Sequence, residues 1–138
     1  MNARTRFATA RVLHGGAPYR TPQGPVYAPG VSTQTVGSEV LFLGLVTLKP
    51  GQRTRAHIHE RHESAFYMLS GDAVEVWSGG DLEHCSTAHA GDFLFIPAGV
   101  PHVAVNRGRT PAVMVGARND PAADENVVMQ PQLDGRVP

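Results

Sequence analysis

The sequence predicts an all-β fold, a jelly roll or β-helix-like barrel, in a single domain. Its 138 residues include 15 glycines and 11 prolines, which interrupt the chain too often for long helices. The intervening runs are short, rich in β-branched and aromatic residues, and bounded by turn sequences. None of them has a strong helical period. At least eight predicted strands result, which is enough for two packed sheets.

Three regions follow one another along the chain. Residues 1–37 are predicted to form an N-terminal arm and edge strand, because their glycines and prolines disfavour a helix. Residues 38–117 form the predicted barrel, and residues 118–138 form a C-terminal tail of the same domain. In the tail, residues 120–125 are predicted to make one helical turn and residues 127–129 a last edge strand. The barrel strands are predicted at residues 38–48, 54–59, 64–69, 73–77, 82–88, 92–96, 102–106 and 112–117.

The most informative stretch is the histidine-rich segment at residues 56–63. His57 and His59 are separated by one residue, so on a strand they project from the same face. His62 and Glu63 follow within four residues. This density of nitrogen and oxygen donors is typical of a site for a divalent transition metal. A further imidazole is available from His102 on a later strand.

Two spaced patterns contain these histidines. The later pattern matches the second motif of the cupin family in full, and it consists of Gly91, Pro97, Gly99, His102 and Asn106. The earlier pattern resembles the first motif of the same family, with a glycine at position 51 followed by the two histidines. The resemblance covers residues 38–117.

Membership of that family implies a small single-domain cupin, whose fold is a double-stranded β-helix. It also implies one divalent transition metal per chain, such as Fe, Zn, Ni, Mn or Co. Its ligands would include His57, His59 and His102. An open coordination position would make such a metal catalytic rather than structural.

The sequence leaves the fourth protein ligand open. The family motif has a glutamate after the two histidines, with six residues between it and the following glycine, whereas the residue at that distance from Gly71 is Ser64 here. Glu63 lies at a permitted distance from His59, but it is one residue too far from Gly71. On a strand, His62 shares the inward face with Ser64, so His62 is the alternative ligand. If Glu63 is not a ligand, it is the predicted general base.

Strand parity also predicts the wall of a substrate pocket. Ser64, Phe66 and Met68 share a face with His62, so we expect them to line an apolar pocket. Arg55 is predicted at the mouth of that pocket, where a cation would hold an acidic substrate.

Other prominent side chains have a structural interpretation. Asn106 is expected to tie the backbone across strands, and Cys85 to be a buried or half-buried, unreactive thiol. Four motif glycines are expected at turns that need a positive φ angle, namely Gly51, Gly71, Gly91 and Gly99. The aromatic residues expected in the core are Phe42, Trp77, Phe93 and Phe95.

Composition excludes several function classes. The chain has 12 basic and 12 acidic residues and a formal net charge of zero, so it has no electrostatic footprint for nucleic acid or for an anionic membrane. One cysteine permits no internal disulfide. No signal peptide or membrane span is recognised, so a cytoplasmic location is expected. Exposed edge strands and the proline-rich arm predict a homodimer formed by sheet extension or arm exchange.

The resemblance implies an enzyme that uses a mononuclear metal on a small organic substrate, either a carbonyl or enol compound or an aromatic one. The two reaction types implied are dioxygenation and Lewis-acid cyclisation or isomerisation, the latter similar to that of polyketide cyclases. The alternative is a binding or sensing module that holds a small molecule without converting it. The fold does not distinguish between them, because function depends on the cavity.

Overall fold

A computed structural model of the chain describes residues 9–123 and 126–138. Two antiparallel sheets make up its architecture, which confirms the predicted all-β fold. The larger sheet has the strand order β1-β2-β3-β10-β5-β8, and the smaller has the order β11-β4-β9-β6-β7. In chain order the strands are β1 (Tyr19–Arg20), β2 (Val26–Val31), β3 (Phe42–Leu48), β4 (His57–Ile58), β5 (Ser64–Ser70), β6 (Val74–Ser78), β7 (His84–Ala88), β8 (Phe93–Ile96), β9 (His102–Val105), β10 (Ala112–Arg118) and β11 (Val128–Met129).

Both termini contribute strands to these sheets. The predicted N-terminal edge strand is present, since β2 pairs with β3 and β1 pairs with β2. The predicted last edge strand is present as β11, which pairs with β4. The first barrel strand begins at Phe42, four residues later than expected, and the strand predicted at 54–59 is reduced to His57–Ile58.

Two short helices were not expected from the sequence. The helix α1 (Thr33–Val36) begins at Ser32 with a capping box and ends at Gly37 in the left-handed conformation. A 3-10 helix spans Pro131–Arg136. The helical turn predicted at 120–125 is absent from residues 120–123, and residues 124 and 125 lie outside the described part. No helix in the described ranges is both long enough and apolar enough to cross a membrane.

The core lies between the two sheets and is built by alternating side chains. On β3 the residues at positions 42, 44, 46 and 48 are buried while Leu43 and Leu45 are exposed. The main cluster between the sheets consists of Leu48, Met68, Val74, Val76, Ala88, Ala112 and Met114.

The C-terminal segment covers the outer face of the smaller sheet. Leu133 and Val137 pack there against Val103 and Val105, which project from β9 away from the inter-sheet core. Arg53 holds this segment by donating hydrogen bonds to the carbonyl oxygens of residues 137 and 138, at 3.0 and 2.8 Å. These contacts attach the C-terminal segment to the smaller sheet.

The motif glycines have the backbone conformation that the sequence predicts. The φ angles of the glycines at positions 51, 71, 91 and 99 are all positive, between 75° and 111°. At Gly71 a Cβ atom would also lie 2.8 Å from the Cα of Ala112, so this turn excludes any side chain.

The expectation that Phe93 and Phe95 belong to the core is wrong. Their exposed fractions are 82% and 58%. On β8 it is Leu94 and Ile96 that face inward, so the alternation of the strand sends both phenylalanines to the outer face. Phe42, by contrast, is buried as predicted.

Candidate metal centre

The pairing of β4 with β9 places two histidines directly opposite each other. His57 is the register partner of His102. Directly opposed residues in an antiparallel pair project from the same face, with Cβ atoms about 4.5–5.5 Å apart. The two imidazoles therefore meet above the same face of the smaller sheet, even though 44 residues separate them in the chain.

His59 completes a group of three imidazoles. His57, His59 and His102 each offer a nitrogen, and these three nitrogens lie within 4.8 Å of one another. The ring centroid of His57 is 4.2 Å from that of His102 and 5.0 Å from that of His59. All three residues are at most 4% exposed. Zn–N bonds are about 2.0–2.1 Å long, so small side-chain rotations would let one ion bridge such nitrogens.

Backbone carbonyls set the tautomer of two of these rings. Nδ1 of His57 lies 2.6 Å from the carbonyl oxygen of Arg55, and Nδ1 of His102 lies 2.9 Å from that of Val100. A carbonyl can only accept, so Nδ1 carries the hydrogen and the lone pair of each neutral ring is on Nε2. In metal-binding histidines, the ring nitrogen that does not bind the metal typically donates a hydrogen bond to a carbonyl or carboxylate in this way. The three residues thus fit a divalent transition metal.

Hydrogen bonds between the two motifs hold the histidines in register. The backbone N–H of Gly99 donates to the carbonyl of His59 at 2.7 Å, and that of Gly51 donates to the carbonyl of Asn106 at 2.7 Å. The Asn106 side chain is fully buried and bonds three backbone groups, as the sequence predicts. Backbone hydrogen bonds therefore join the segment of the first motif to that of the second.

A small, mainly apolar cavity adjoins the three histidines between the sheets. Its volume is about 40 Å³. One water needs roughly 10–15 Å³, so the cavity has space for about three water-sized groups. No arginine or lysine is among its described lining residues, which are Gln23, Pro25, Tyr27, Val46, Leu48, Thr54, His57, His59, Phe66, Val76, Leu94, Ile96, His102, Ala104 and Met114.

Phe66, which the sequence places in the wall of a substrate pocket, is among the residues that line this cavity. It pairs in register with Gly116 of β10, and a Cβ at that glycine would lie 2.9 Å from the phenylalanine ring. The absence of a side chain at position 116 thus creates the space for the ring. Met68 is instead part of the core, and Ser64 is buried beside a separate cavity of about 10 Å³.

The family comparison agrees with this geometry. The model of the cupin domain family matches residues 44–117, which is more than half of the chain. The chain belongs to the cupin family. The matched range includes both motifs and all three histidines of the candidate centre.

One curated protein similar to this cupin is the tetracenomycin polyketide synthase protein TcmJ of Streptomyces glaucescens. It is 26% identical over 111 residues, which are 80% of this chain and 72% of that protein.

Solved structures share the fold. An uncharacterised conserved protein from Klebsiella pneumoniae with a double-stranded β-helix domain has a TM-score of 0.60 and 17% identity, over 94% of this chain and 95% of that one. Oxalate decarboxylase from Bacillus subtilis has a TM-score of 0.65 and 26% identity, over 83% of this cupin and 29% of that chain. This cupin therefore spans about a third of that larger enzyme.

His62, one of the two predicted fourth ligands, lies next to the centre of this cupin. Its ring centroid is 4.6 Å from that of His59, and it is 4% exposed. Its Nδ1 lies 3.6 Å from Oδ2 of Asp120. A carboxylate behind an imidazole is a common support for a metal ligand, so this arrangement suits the predicted role. Sequence reasoning missed Asp120, because it lies beyond both motifs in the tail.

Glu63, the other predicted fourth ligand, is placed differently. Its side chain is exposed, and its carboxylate is not part of the group of three histidines. Its backbone N–H donates to Oδ1 of Asn119 at 3.0 Å. The residues on either side, His62 and Ser64, are both buried, so Glu63 is on the outward side as strand parity requires.

Variants at these two positions test the choice between them. We expect His62→Ala to lower metal affinity by about 10–100-fold, since it removes either a ligand or the support of the His59 ring. Glu63→Ala should retain full metal content. Titration of metal-free protein with Zn(II) in the presence of a chelating dye measures both. Equal metal affinity of His62→Ala and the wild type would contradict this assignment, and the turnover of Glu63→Ala tests the predicted general base.

Arg55 does not lie at the cavity of this cupin. Its side chain is exposed and is not among the residues that line the cavity, although the sequence predicts it at the mouth. The strict alternation on which that prediction depends is broken, because Ala56 and His57 are adjacent and both buried. A cation for an acidic substrate is therefore not supplied by this position.

Cys85 is exposed, contrary to the expectation of a buried or half-buried thiol. Partial burial of its sulfur raises the pKa of the Cys85 thiol, and the nearby Glu75 carboxylate raises it further. The protonated thiol therefore dominates near neutral pH, and it is a weak nucleophile. The expectation that this cysteine does no chemistry is consistent with that environment.

Proposed function

We propose that this cupin is a metal-dependent enzyme that acts on a carbonyl- or enol-bearing organic substrate, as a Lewis-acid cyclase or isomerase or as a dioxygenase. The observation that carries the proposal is the group of three buried imidazoles beside a small apolar cavity. Perturbed or converging polar groups in a mostly apolar cavity are the usual signature of an active site.

The lining of the cavity favours a neutral reacting group over an anionic one. None of its described lining residues is an arginine or lysine, so the lining adds no cation to the charge that a bound metal would supply for an anionic group. Gln23 and Thr54 contribute neutral polar side chains, which suit a carbonyl oxygen or an enol. Phe66 and Leu94 exclude water from the reacting end.

A second, wider cleft lies on the other side of His62. Its volume is about 670 Å³, and its lining includes His62, Asp120, Arg61 and Met129. Because the ring of His62 contacts that of His59, the cleft and the inner cavity adjoin at this pair. A substrate too large for the inner cavity would lie in the cleft and extend its reacting carbonyl toward the three histidines.

The comparison with TcmJ supports this choice of substrate class. Polyketides carry several carbonyl and enol groups on a skeleton much larger than the inner cavity, and the cleft of about 670 Å³ would give such a skeleton room. A bound divalent metal would supply Lewis acidity at a carbonyl or enol oxygen, and a redox metal would in addition support reaction with O₂. The chain's own residues bind the skeleton in the cleft, orient the reacting end and keep it dry.

The test begins with protein purified without a nickel column and analysed for its elements. We expect about one equivalent of a divalent transition metal per chain. Metal-free protein is then loaded with Zn(II) or Fe(II) and supplied with diketones, enolisable polyketide mimics and catechols. Product formation with Zn(II) indicates Lewis-acid chemistry, and O₂ consumption that requires Fe(II) indicates dioxygenation.

His59→Ala is the control for these reactions, because it removes one imidazole of the centre. Turnover that persists in this variant would contradict the proposal. Tight binding of a substrate mimic without turnover by any metal form would support the alternative, a small-molecule binding or sensing module.

A further inference from the structure

A glutamine from the N-terminal arm lines the inner cavity together with the three histidines. Gln23 lies in the turn between β1 and β2, and it is 1% exposed. Among the described lining residues, it is the one with a carboxamide side chain. An apolar side chain of similar size would fill the same space without the cost of burying an amide, so the amide at this position suggests a chemical role.

Backbone hydrogen bonds fix the turn that carries Gln23. The N–H of Gly24 donates to the carbonyl of Thr21 at 3.0 Å, and the N–H of Thr21 donates to the carbonyl of Pro25 at 3.0 Å. The φ angle of Gly24 is 123°, a conformation that favours glycine. The hydroxyl of Thr21 adds a hydrogen bond to the same proline carbonyl at 2.8 Å. These contacts determine the position of the Gln23 backbone.

The same turn is joined to the candidate metal centre. The carbonyl of Gln23 accepts a hydrogen bond from the N–H of Arg55 at 2.8 Å. The carbonyl of Arg55 in turn lies 2.6 Å from Nδ1 of His57. One residue thus connects the glutamine to one of the three imidazoles, so the turn and the centre are held in a fixed relation.

Gln23 also lies at the boundary between the inner cavity and the wider cleft. The buried residues Gln23, Pro25 and Tyr27 alternate along this segment, and all three line the inner cavity. Pro22 is exposed and lines the cleft instead. Because adjacent residues line the two spaces, a substrate that extends from the cleft toward the histidines passes beside this turn.

We propose that Gln23 is a specificity-determining residue, whose side-chain amide hydrogen-bonds a second oxygen of the substrate while the first oxygen faces the three histidines. This inference rests on the proposed function and narrows its substrate class to β-dicarbonyl compounds and their enols. The inner cavity has a volume of about 40 Å³, so two oxygens that both lie within it are separated by only a few atoms.

An amide suits both tautomers of such a substrate. Its N–H groups donate to a keto oxygen, and its carbonyl accepts from an enol hydroxyl. Because it has two donors and an acceptor, the side chain of Gln23 can bind a substrate oxygen and keep a partner in the protein.

The experiment compares two ligands of the metal-loaded protein. Acetylacetone is a β-dicarbonyl, whereas azide reaches a metal without any oxygen atom. The visible absorption of Co(II)-loaded protein reports the dissociation constant of each ligand for the wild type, Gln23→Met and Gln23→Leu. Gln132→Met is the matched control, because Gln132 is exposed and is not among the described residues that line the cavity or the cleft. Chelation of the metal by both oxygens of acetylacetone is common to all four proteins, so it cancels in the comparison.

We expect both Gln23 variants to retain the metal and to bind azide like the wild type. Their dissociation constant for acetylacetone should rise about tenfold, since one hydrogen bond between neutral groups is lost. Gln132→Met should match the wild type with both ligands. Urea unfolding of the metal-free proteins verifies that each variant folds.

Three results would overturn the role of Gln23. The first is unchanged affinity for acetylacetone in both variants. The second is equal weakening of acetylacetone and azide, and the third is loss of the metal, because each of these would assign the glutamine to support of the centre. Since binding is measured without turnover, an inactive protein that showed the tenfold difference would contradict the proposed catalysis and still support this role of Gln23.

Discussion

Replacement of His102 by alanine should abolish metal binding under conditions in which the wild type is saturated. This change removes one of three imidazoles whose nitrogens converge within 4.8 Å, and it leaves His57 and His59 as the other two members of that group among the described residues. We expect metal affinity to fall at least about 100-fold. This loss is larger than the one expected when a residue that only hydrogen-bonds to a metal ligand is removed. Turnover should fall below detection.

Elemental analysis after dialysis against a weak chelator measures the first effect. His89→Ala is the matched control, because the His89 side chain is 64% exposed and does not belong to the group of three histidines. It should retain metal and activity. Thermal unfolding of the two metal-free variants should be similar, which separates loss of the site from loss of the fold. Full metal content in His102→Ala would show that the three imidazoles do not form the centre.

The second large effect is expected at Asn106, and it concerns stability. The side chain is fully buried, and its Nδ2 donates to the carbonyls of Leu48 and Thr110 at 3.0 and 2.9 Å. Its Oδ1 accepts from the N–H of Gly108 at 2.9 Å. Asn106→Ala leaves all three backbone groups without this partner, so we expect the free energy of unfolding to fall by about 2–4 kcal/mol. Such a loss lowers the melting temperature by roughly 10 °C.

Urea unfolding of the metal-free proteins measures this loss without a contribution from metal binding. Asn119→Ala is the matched control, since Asn119 is exposed and accepts one hydrogen bond, from the N–H of Glu63. Its cost should stay below about 1 kcal/mol. If Asn106→Ala were no less stable than this control, the three hydrogen bonds would not contribute to the fold as the geometry indicates.

Local patterns were sufficient to predict most of the fold. Turn residues and short β-rich runs locate the barrel strands to within a few residues, because both signals act over two to eight residues. The short helices were missed for the same reason, since a single capped turn such as Thr33–Val36 has no measurable period.

The prediction of the centre depended on spacing. A gap of one residue aligns His57 with His59 on any strand, and the second motif supplies His102; the structure brings these three residues together. Parity also separated buried His62 from exposed Glu63. Strand parity did not predict the position of Arg55, because Ala56 and His57 are adjacent and both buried, which breaks the alternation that the prediction assumes.

The sequence by itself determined an all-β cupin with three converging histidines, since strand period and motif spacing are local properties of the chain. The tertiary structure alone decided which distant residues meet. It placed Asp120 behind His62, covered one sheet with the C-terminal segment and left Phe93 and Phe95 exposed on the other. These outcomes depend on how the sheets pack and where the tail lies, and no short-range pattern encodes contacts between residues so far apart in the chain.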